Sequence, residues 1–425
     1  MISDRWGFAN SALTWATAIV IYLVMSYPYH AIVLTGIDVF PQAIYAGLCL
    51  LGFALFFVHR HSPLPVEYSR ITWLFVVGLL FVMSMTLLTT RNPTVVRELL
   101  LLGLALLLLL RVRGVDCLMV MRALVYVSVI VLLPAMIIVA MFYAGFIDGP
   151  TWRVERLGLG ETNPLMIRGT IGSAEYYLPW FLAFVPHMAS FDQGFGLVFV
   201  RQPLVYIEPT DTWLYSAGLL WFAVADRTMP LRILCIAVLG LALAVSYSVA
   251  GILATVGAAL VCVGVYVGGR TLVLAIVGGI AMLFSVLPLD FLLSLIAENK
   301  ANQLEFYTDN LKVLSNPTLF GSADFAERQD VNYGMLSVID RYGLVGFGFA
   351  VLALIAFALM AFHLLNDKEN LGWKRFPLFV GSAVSLAMTA KYPGIVPAMP
   401  IMSLAAALSF RQFQMSPFTA AAIRP

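Results

Sequence analysis

The chain has 425 residues, of which 61% are hydrophobic and 11% charged, and its formal net charge is +2. Soluble domains average about 45–50% apolar and about 25% charged, so this chain has too few polar residues to cover a water-facing core. The same arithmetic excludes disorder, collagen, coiled coil and a disulfide scaffold, and the near-neutral balance carries no nucleic-acid signal. A mean hydropathy of +0.92 is that of a polytopic membrane protein. A crossing helix takes ~20 apolar residues, which leaves room for about a dozen spans and two sizeable loops.

Apolar runs set against charged breaks predict twelve helices, at 11–27, 40–58, 71–89, 97–110, 118–146, 211–225, 232–248, 249–267, 271–290, 333–364, 376–391 and 395–410. The expected fold is all-α, with five spans in 1–146, a loop over 147–210, four spans in 211–290, a second loop over 291–332, and three spans and a tail in 333–425. The first apolar stretch runs to YPYH without a small-residue cleavage site, so a retained span is expected rather than a signal peptide. The breaks HRHSPLPVEYSR (59–70), RVRGVD (111–116), DRTMPLR (226–232), GGR (268–270) and NDKENLGWKR (366–375) are short and basic.

Lys/Arg bias sets orientation. With both termini inside, the inner segments hold 14 of 25 Lys+Arg and 6 of 23 Asp+Glu, so the inner sum is +8 and the outer sum −6. Both long loops then lie outside. Within the first, EYYLPWFLAFVPHMAS (175–190) is apolar and aromatic but contains two prolines. It reads as an interfacial or re-entrant piece, the alternative being two extra spans at 173–190 and 194–208. Cys49, Cys117, Cys235 and Cys262 all fall in spans or inside, so neither a disulfide framework nor a cysteine metal site is expected.

Charge inside a membrane is costly and therefore informative. The middles of the spans are nearly free of it, whereas an ion-coupled transporter usually carries an acid or a lysine there. The ionisable groups gather instead in the outer loops. Arginine grips phosphate oxygens bidentately, and a neighbouring carboxylate can take a proton from a hydroxyl nucleophile. This mixture is what displacement of an anionic leaving group requires, although most exposed loop charges merely solvate the loop. No P-loop, GxSxG, HExxH, dinucleotide fingerprint or Asp-x-Asp pair is present.

Four segments in order carry a more specific signal: FVRQPLVYIEPTDTWLYSAGLLWF (199–222), LALAVSYSVAGILATVGAALVCV (241–263), LSNPTLFGSA (314–323) and DVNYGMLSVIDRYGLVGFGFAVLAL (330–354). Together they resemble the Wzy-type polysaccharide polymerase and O-antigen ligase superfamily. In the second, Ser246, Tyr247 and Ser248 make the turn and Gly251 the close packing. The resemblance covers roughly 199–364, and exopolysaccharide polymerases, the xanthan kind among them, are nearest in length and texture. It implies a GT-C-like, metal-independent and cofactor-free glycosyltransferase of the bacterial inner membrane. Its substrates would be undecaprenyl-pyrophosphate-linked glycans as donor and acceptor, joined on the periplasmic face. Chain-length regulator and export proteins would be its partners.

The ligases of this superfamily carry His before the Asn of the fourth segment, where this chain has Val331 before Asn332. Polymerase is therefore favoured over ligase, and the base falls to Asp330 or to Glu327. Arg201 and Arg328 become the pyrophosphate grips, with Arg201 alternatively snorkelling among headgroups. Glu208 and Asp211 read either as a helix cap next to Pro209 or as substrate-facing acids. Asn332, Tyr333, Arg341 and Arg168 complete the expected substrate contacts, while Arg153 and Arg156 either line an acceptor path or solvate the loop. A ligase to another acceptor and a flippase of lipid-linked oligosaccharide are the competing readings.

Overall fold

A computed structural model describes residues 12–22 (without 20), 77–91 (without 79 and 83), 114–147, 152–155, 173–176, 190–194, 197–201, 204, 209–248, 251–260 (without 253), 263, 318–321, 339, 342–348, 380, 381 and 384. The expected spans at 40–58, 97–110, 271–290 and 395–410 lie outside the described residues.

Helix α1, Gly114–Tyr143, is thirty residues long and contains Pro134. Proline has no amide to donate, so the carbonyl four residues back, at Ile130, loses its usual partner. The helix ends where Gly145 takes φ +76. Its amide donates to Phe142 O (3.0 Å) and that of Phe146 to Met141 O (2.9 Å), a Schellman closure that only a left-handed residue permits. The stretch Met119–Tyr143 is long and apolar enough to cross a membrane. At 1.5 Å per residue it reaches ~37 Å, against ~30 Å of hydrocarbon. Its exposed residues Ile130, Leu133, Ile137 and Met141 are spaced as one helical stripe, so the outward face is as apolar as the inward one.

Helices α2, Pro209–Ala225, and α3, Arg232–Ser246, pack on α1 and on each other. The buried cluster they share includes Leu124, Leu132, Leu214, Phe222 and Leu239, together with Ala18 and Tyr22 from the helical segment at 12–22. Val380 and Val384 are buried in the same cluster, and a Cβ on Gly381 would stand 2.7 Å from Trp221 Cβ. The C-terminal region thus returns to α2 at close range.

The break at 226–232 is a locked turn. Asp226 is 1% exposed. Its Oδ2 accepts from Arg122 Nε (2.5 Å) and its Oδ1 from Arg122 Nη2 (3.0 Å). Thr228 closes the network, donating to Oδ1 through its amide (3.1 Å) and its hydroxyl (2.8 Å). Arg232 donates to Ala223 O and Val224 O at the end of α2, which supplies partners for carbonyls that a helix terminus leaves open. Tyr126 Oη donates to Pro230 O (2.7 Å). Asp226→Ala is expected to lower stability by about 1.5–3 kcal/mol, the range for hydrogen bonds to a charged group, because Arg122 is only part-buried and water can reach it once the carboxylate is gone. The double replacement Arg122→Met, Asp226→Leu should recover most of that loss. Thermal unfolding of the purified protein in detergent reads both.

The all-α expectation does not extend over 152–201, where two antiparallel strand pairs form. β1, Trp152–Glu155, pairs with β2, Ser173–Tyr176, and the register sets Arg153 opposite Glu175. β3, Ser190–Gly194, pairs with β4, Leu197–Arg201, with Arg201 opposite Ser190. Only Phe195 and Gly196 separate these strands, a length and composition suited to a tight hairpin. Strand pairing at 190–201 is incompatible with a helical span over 194–208. Residues 177–189, the core of the expected interfacial piece, lie outside the described residues.

Candidate functional site

The first two motif segments meet in the bundle. Trp213, in the second turn of α2, donates its indole N–H to Leu243 O (3.1 Å) in a buried position. Its ring lies over Gly251, where a Cβ would overlap the indole, Cγ standing at 2.6 Å. Gly251 is therefore required by close approach, as the resemblance of this segment implies. The turn between them is also as expected. Tyr247 takes φ +24, Ser246 Oγ donates to Leu243 O (3.1 Å), and Ser248 Oγ accepts the Gly251 amide (3.2 Å). Ser248 thereby caps the helical segment at 251–260.

The chain ahead of α2 is pinned to this packing. Leu204 is fully buried in the helix cluster and has φ +56. A branched side chain in the left-handed region is disfavoured by roughly 1–2 kcal/mol, and burial of the leucine offsets it. The strand ending at Arg201 is thus tied to the core three residues later. Pro209 then opens α2, a position that suits a residue without an amide proton. Asp211 is the third residue of the helix, where the dipole favours a carboxylate.

The third and fourth segments also meet. The amides of Leu344 and Val345 donate to Thr318 O (2.9 Å) and Leu319 O (3.2 Å). Gly343, with φ +70, has the Leu319 and Phe320 backbone where a Cβ would go. The loop 318–321 is thus seated on the start of the helical segment 342–348 through main-chain contacts. The helical segment at 80–90 packs against both, through Phe81 edge-on to Phe320 (6.3 Å between centroids) and through Val82, whose Cγ1 would lie 3.4 Å from a Cβ on Gly346.

Of the sequence-derived site residues, Arg201 stands at the end of β4 and Asp211 in the first turn of α2. Arg341 falls between the helical residues 339 and 342 but is itself outside the described residues, as are Arg168, Glu208, Glu327, Arg328, Asp330, Asn332 and Tyr333. Sequence reasoning did not single out Trp213, Leu204 or Gly343, which hold the motif segments in place. For Trp213 a signal existed: a tryptophan next to Thr212 at a helix start, matched by a glycine in the next motif. For Leu204 there was none.

No protein-family model matches the chain, and comparison with curated proteins and with solved structures also yields no match.

Proposed function

We propose that the chain is a polytopic glycosyltransferase of the bacterial inner membrane. It polymerises undecaprenyl-pyrophosphate-linked repeat units on the periplasmic face, and both termini are cytoplasmic. About twelve spans carry two large outer loops in a GT-C-like arrangement. Charge placement, the apolar outward stripe of α1 and the order of the four motifs support this reading. The observation that carries it is the pairing of those motifs: first against second through Trp213 and Gly251, third against fourth through Thr318 and Leu344. Motifs that are individually degenerate gain weight when they are mutual packing partners.

In this mechanism Arg201 and Arg328 hold the donor pyrophosphate, and Asp330, or Glu327 in its place, takes the proton from the acceptor hydroxyl. The oxygen so freed attacks the anomeric carbon of the donor sugar, the bond from that carbon to the phosphate oxygen breaks, and the pyrophosphate leaves on its lipid. Positioning and neutralisation of the leaving group supply most of the rate, with no cofactor in the scheme.

A deletion strain separates this from its rivals. Loss of a polymerase is expected to leave single lipid-linked repeats at the outer leaflet. A flippase would leave them at the inner leaflet, and a ligase would let long polymer form without its anchor. Labelling of surface-accessible repeats with a membrane-impermeant reagent, beside a size analysis of total glycan, reads all three outcomes.

A further inference from the structure

The turn that joins α2 to α3 gathers charge at one end of the bundle. Arg122, Arg227 and Arg232 bring three guanidinium groups to one carboxylate, that of Asp226. This acid is buried and accepts four hydrogen bonds, two from Arg122 and two from Thr228. An ionised carboxylate has about four acceptor positions, so little capacity is left for Arg227. Arg227 is exposed and, among the described residues, has no hydrogen bond or ion pair. Arg232 uses Nε and Nη2 on the carbonyls of Ala223 and Val224, and its Nη1 has no acceptor among the described residues.

The surface beside these cations is apolar. Leu231 is 69% exposed and Ile233 82%, and Leu234 and Leu241 continue the exposed stripe along α3. A water-facing turn surrounds its charges with polar groups, whereas this one sets free cations at the end of a hydrocarbon stripe. A phosphate head on a hydrocarbon tail complements that arrangement end to end. Trp15 and Tyr126 mark the same level. Their rings stack with centroids 6.1 Å apart at 24°, and the Tyr126 hydroxyl donates to Pro230 O within the turn (2.7 Å). Trp and Tyr collect at the headgroup level of a bilayer, where an apolar body and a polar tip are both accommodated. Aromatic pair, cations and stripe thus agree in depth.

We infer that the turn at 226–232 and the start of α3 hold an anionic phospholipid, its phosphodiester on Arg227 and Arg232 and an acyl chain along Ile233, Leu234 and Leu241. The guanidinium fork suits two oxygens of one phosphate group. A zwitterionic lipid brings an ammonium group as well, and the turn offers it no free carboxylate: Asp226 is filled, and α3 has no acid in its first turn. The orientation proposed above puts this lipid in the inner leaflet. The site lies at the opposite end of α2 from Asp211, so the inference stands apart from glycosyl transfer.

The full-length protein in detergent is given phosphatidylglycerol, phosphatidylcholine with the same chains, or soluble glycerol phosphate. Native mass spectrometry counts the lipid retained, and thermal unfolding reads stability. Wild type is expected to retain the anionic lipid in preference, to gain unfolding temperature from it, and to gain none from glycerol phosphate. Arg227→Gln should cut the preference about fivefold, the attraction of one arginine to an anionic lipid surface, and should unfold at the wild-type temperature when no lipid is added. Equal retention of both lipids by wild type, or an unchanged preference in Arg227→Gln, overturns the inference. A lowered unfolding temperature of Arg227→Gln without lipid makes the residue structural and overturns it too. A gain from glycerol phosphate equal to that from the lipid assigns the site to free phosphate and ends the lipid assignment. None of these results bears on the glycosyltransferase reading, which the deletion strain tests by itself.

Discussion

Arg328→Ala and Asp330→Ala are each expected to abolish polymer while the protein still reaches the membrane and lipid-linked single repeats accumulate. The two losses have different physical origins. A positioned base contributes typically 10²–10⁴ in rate, and one well-placed donor to a developing anion about 10²–10³. Polymer length multiplies either defect, because every added repeat passes through the same step. The chain places Val331 where the ligases have a histidine, and valine can neither accept nor donate a proton. Asp330 and Glu327 are the nearest candidates in the sequence. Asp330→Asn preserves shape and removes basicity, so it should match Asp330→Ala in glycan and wild type in abundance. Glu327→Gln decides between the two acids: the true base is the one whose amide variant stops chain growth. Normal chain length in both Arg328→Ala and Asp330→Ala, measured by gel analysis of extracted glycan, would falsify this assignment.

Helices were legible because charged or glycine-containing breaks bound them. The expected spans at 118–146, 211–225 and 232–248 correspond to helices ending at Tyr143, Ala225 and Ser246. Gly145 and the Asp226 turn supply the stops. The role of Gly251 was legible too, because the resemblance of 241–263 to a span–turn–span element implies close packing at that glycine. The strand pairs at 152–201 were not. Their segments are four or five residues long and alternate too briefly to compete with the apolar signal around them. Nor was the link from Arg122 to Asp226. Its partners are 104 residues apart, with Arg122 near the start of the expected span 118–146 and Asp226 in the basic break at 226–232, and neither alone names the other. Leu204 shows the third kind of failure, because its left-handed backbone is imposed by tertiary burial and leaves no trace in local propensity.

Gly251→Ala is expected to destabilise the bundle strongly. The added Cβ would overlap the inner part of the Trp213 indole, near its attachment to the backbone, where rotation about the side-chain bonds gives least relief. Either the helical segment at 251–260 moves away from α2 or the indole leaves its place. Overpacking of this kind costs about 1–3 kcal/mol. Displacement of the indole strands a buried N–H donor, which costs about a further 1–3 kcal/mol. The carbonyl of Leu243 fares better, because Ser246 Oγ and the Tyr247 amide still donate to it. Together these give a loss of about 2–6 kcal/mol, a large part of the ~5–15 kcal/mol typical of a folded domain. Trp213→Leu in the Gly251→Ala background should restore room and return much of the stability, whereas Trp213→Leu alone destabilises by opening a cavity. That reversal of sign is the double-mutant signature of direct contact, read as unfolding temperature and as yield of monodisperse protein. Because Trp213 lies two residues after Asp211, displacing it also shifts the start of α2. Polymer should therefore fail in Gly251→Ala and return with the rescue. A Gly251→Ala protein with wild-type unfolding temperature would mean that the indole does not rest on Gly251, and the packing of the first motif against the second would have to be abandoned.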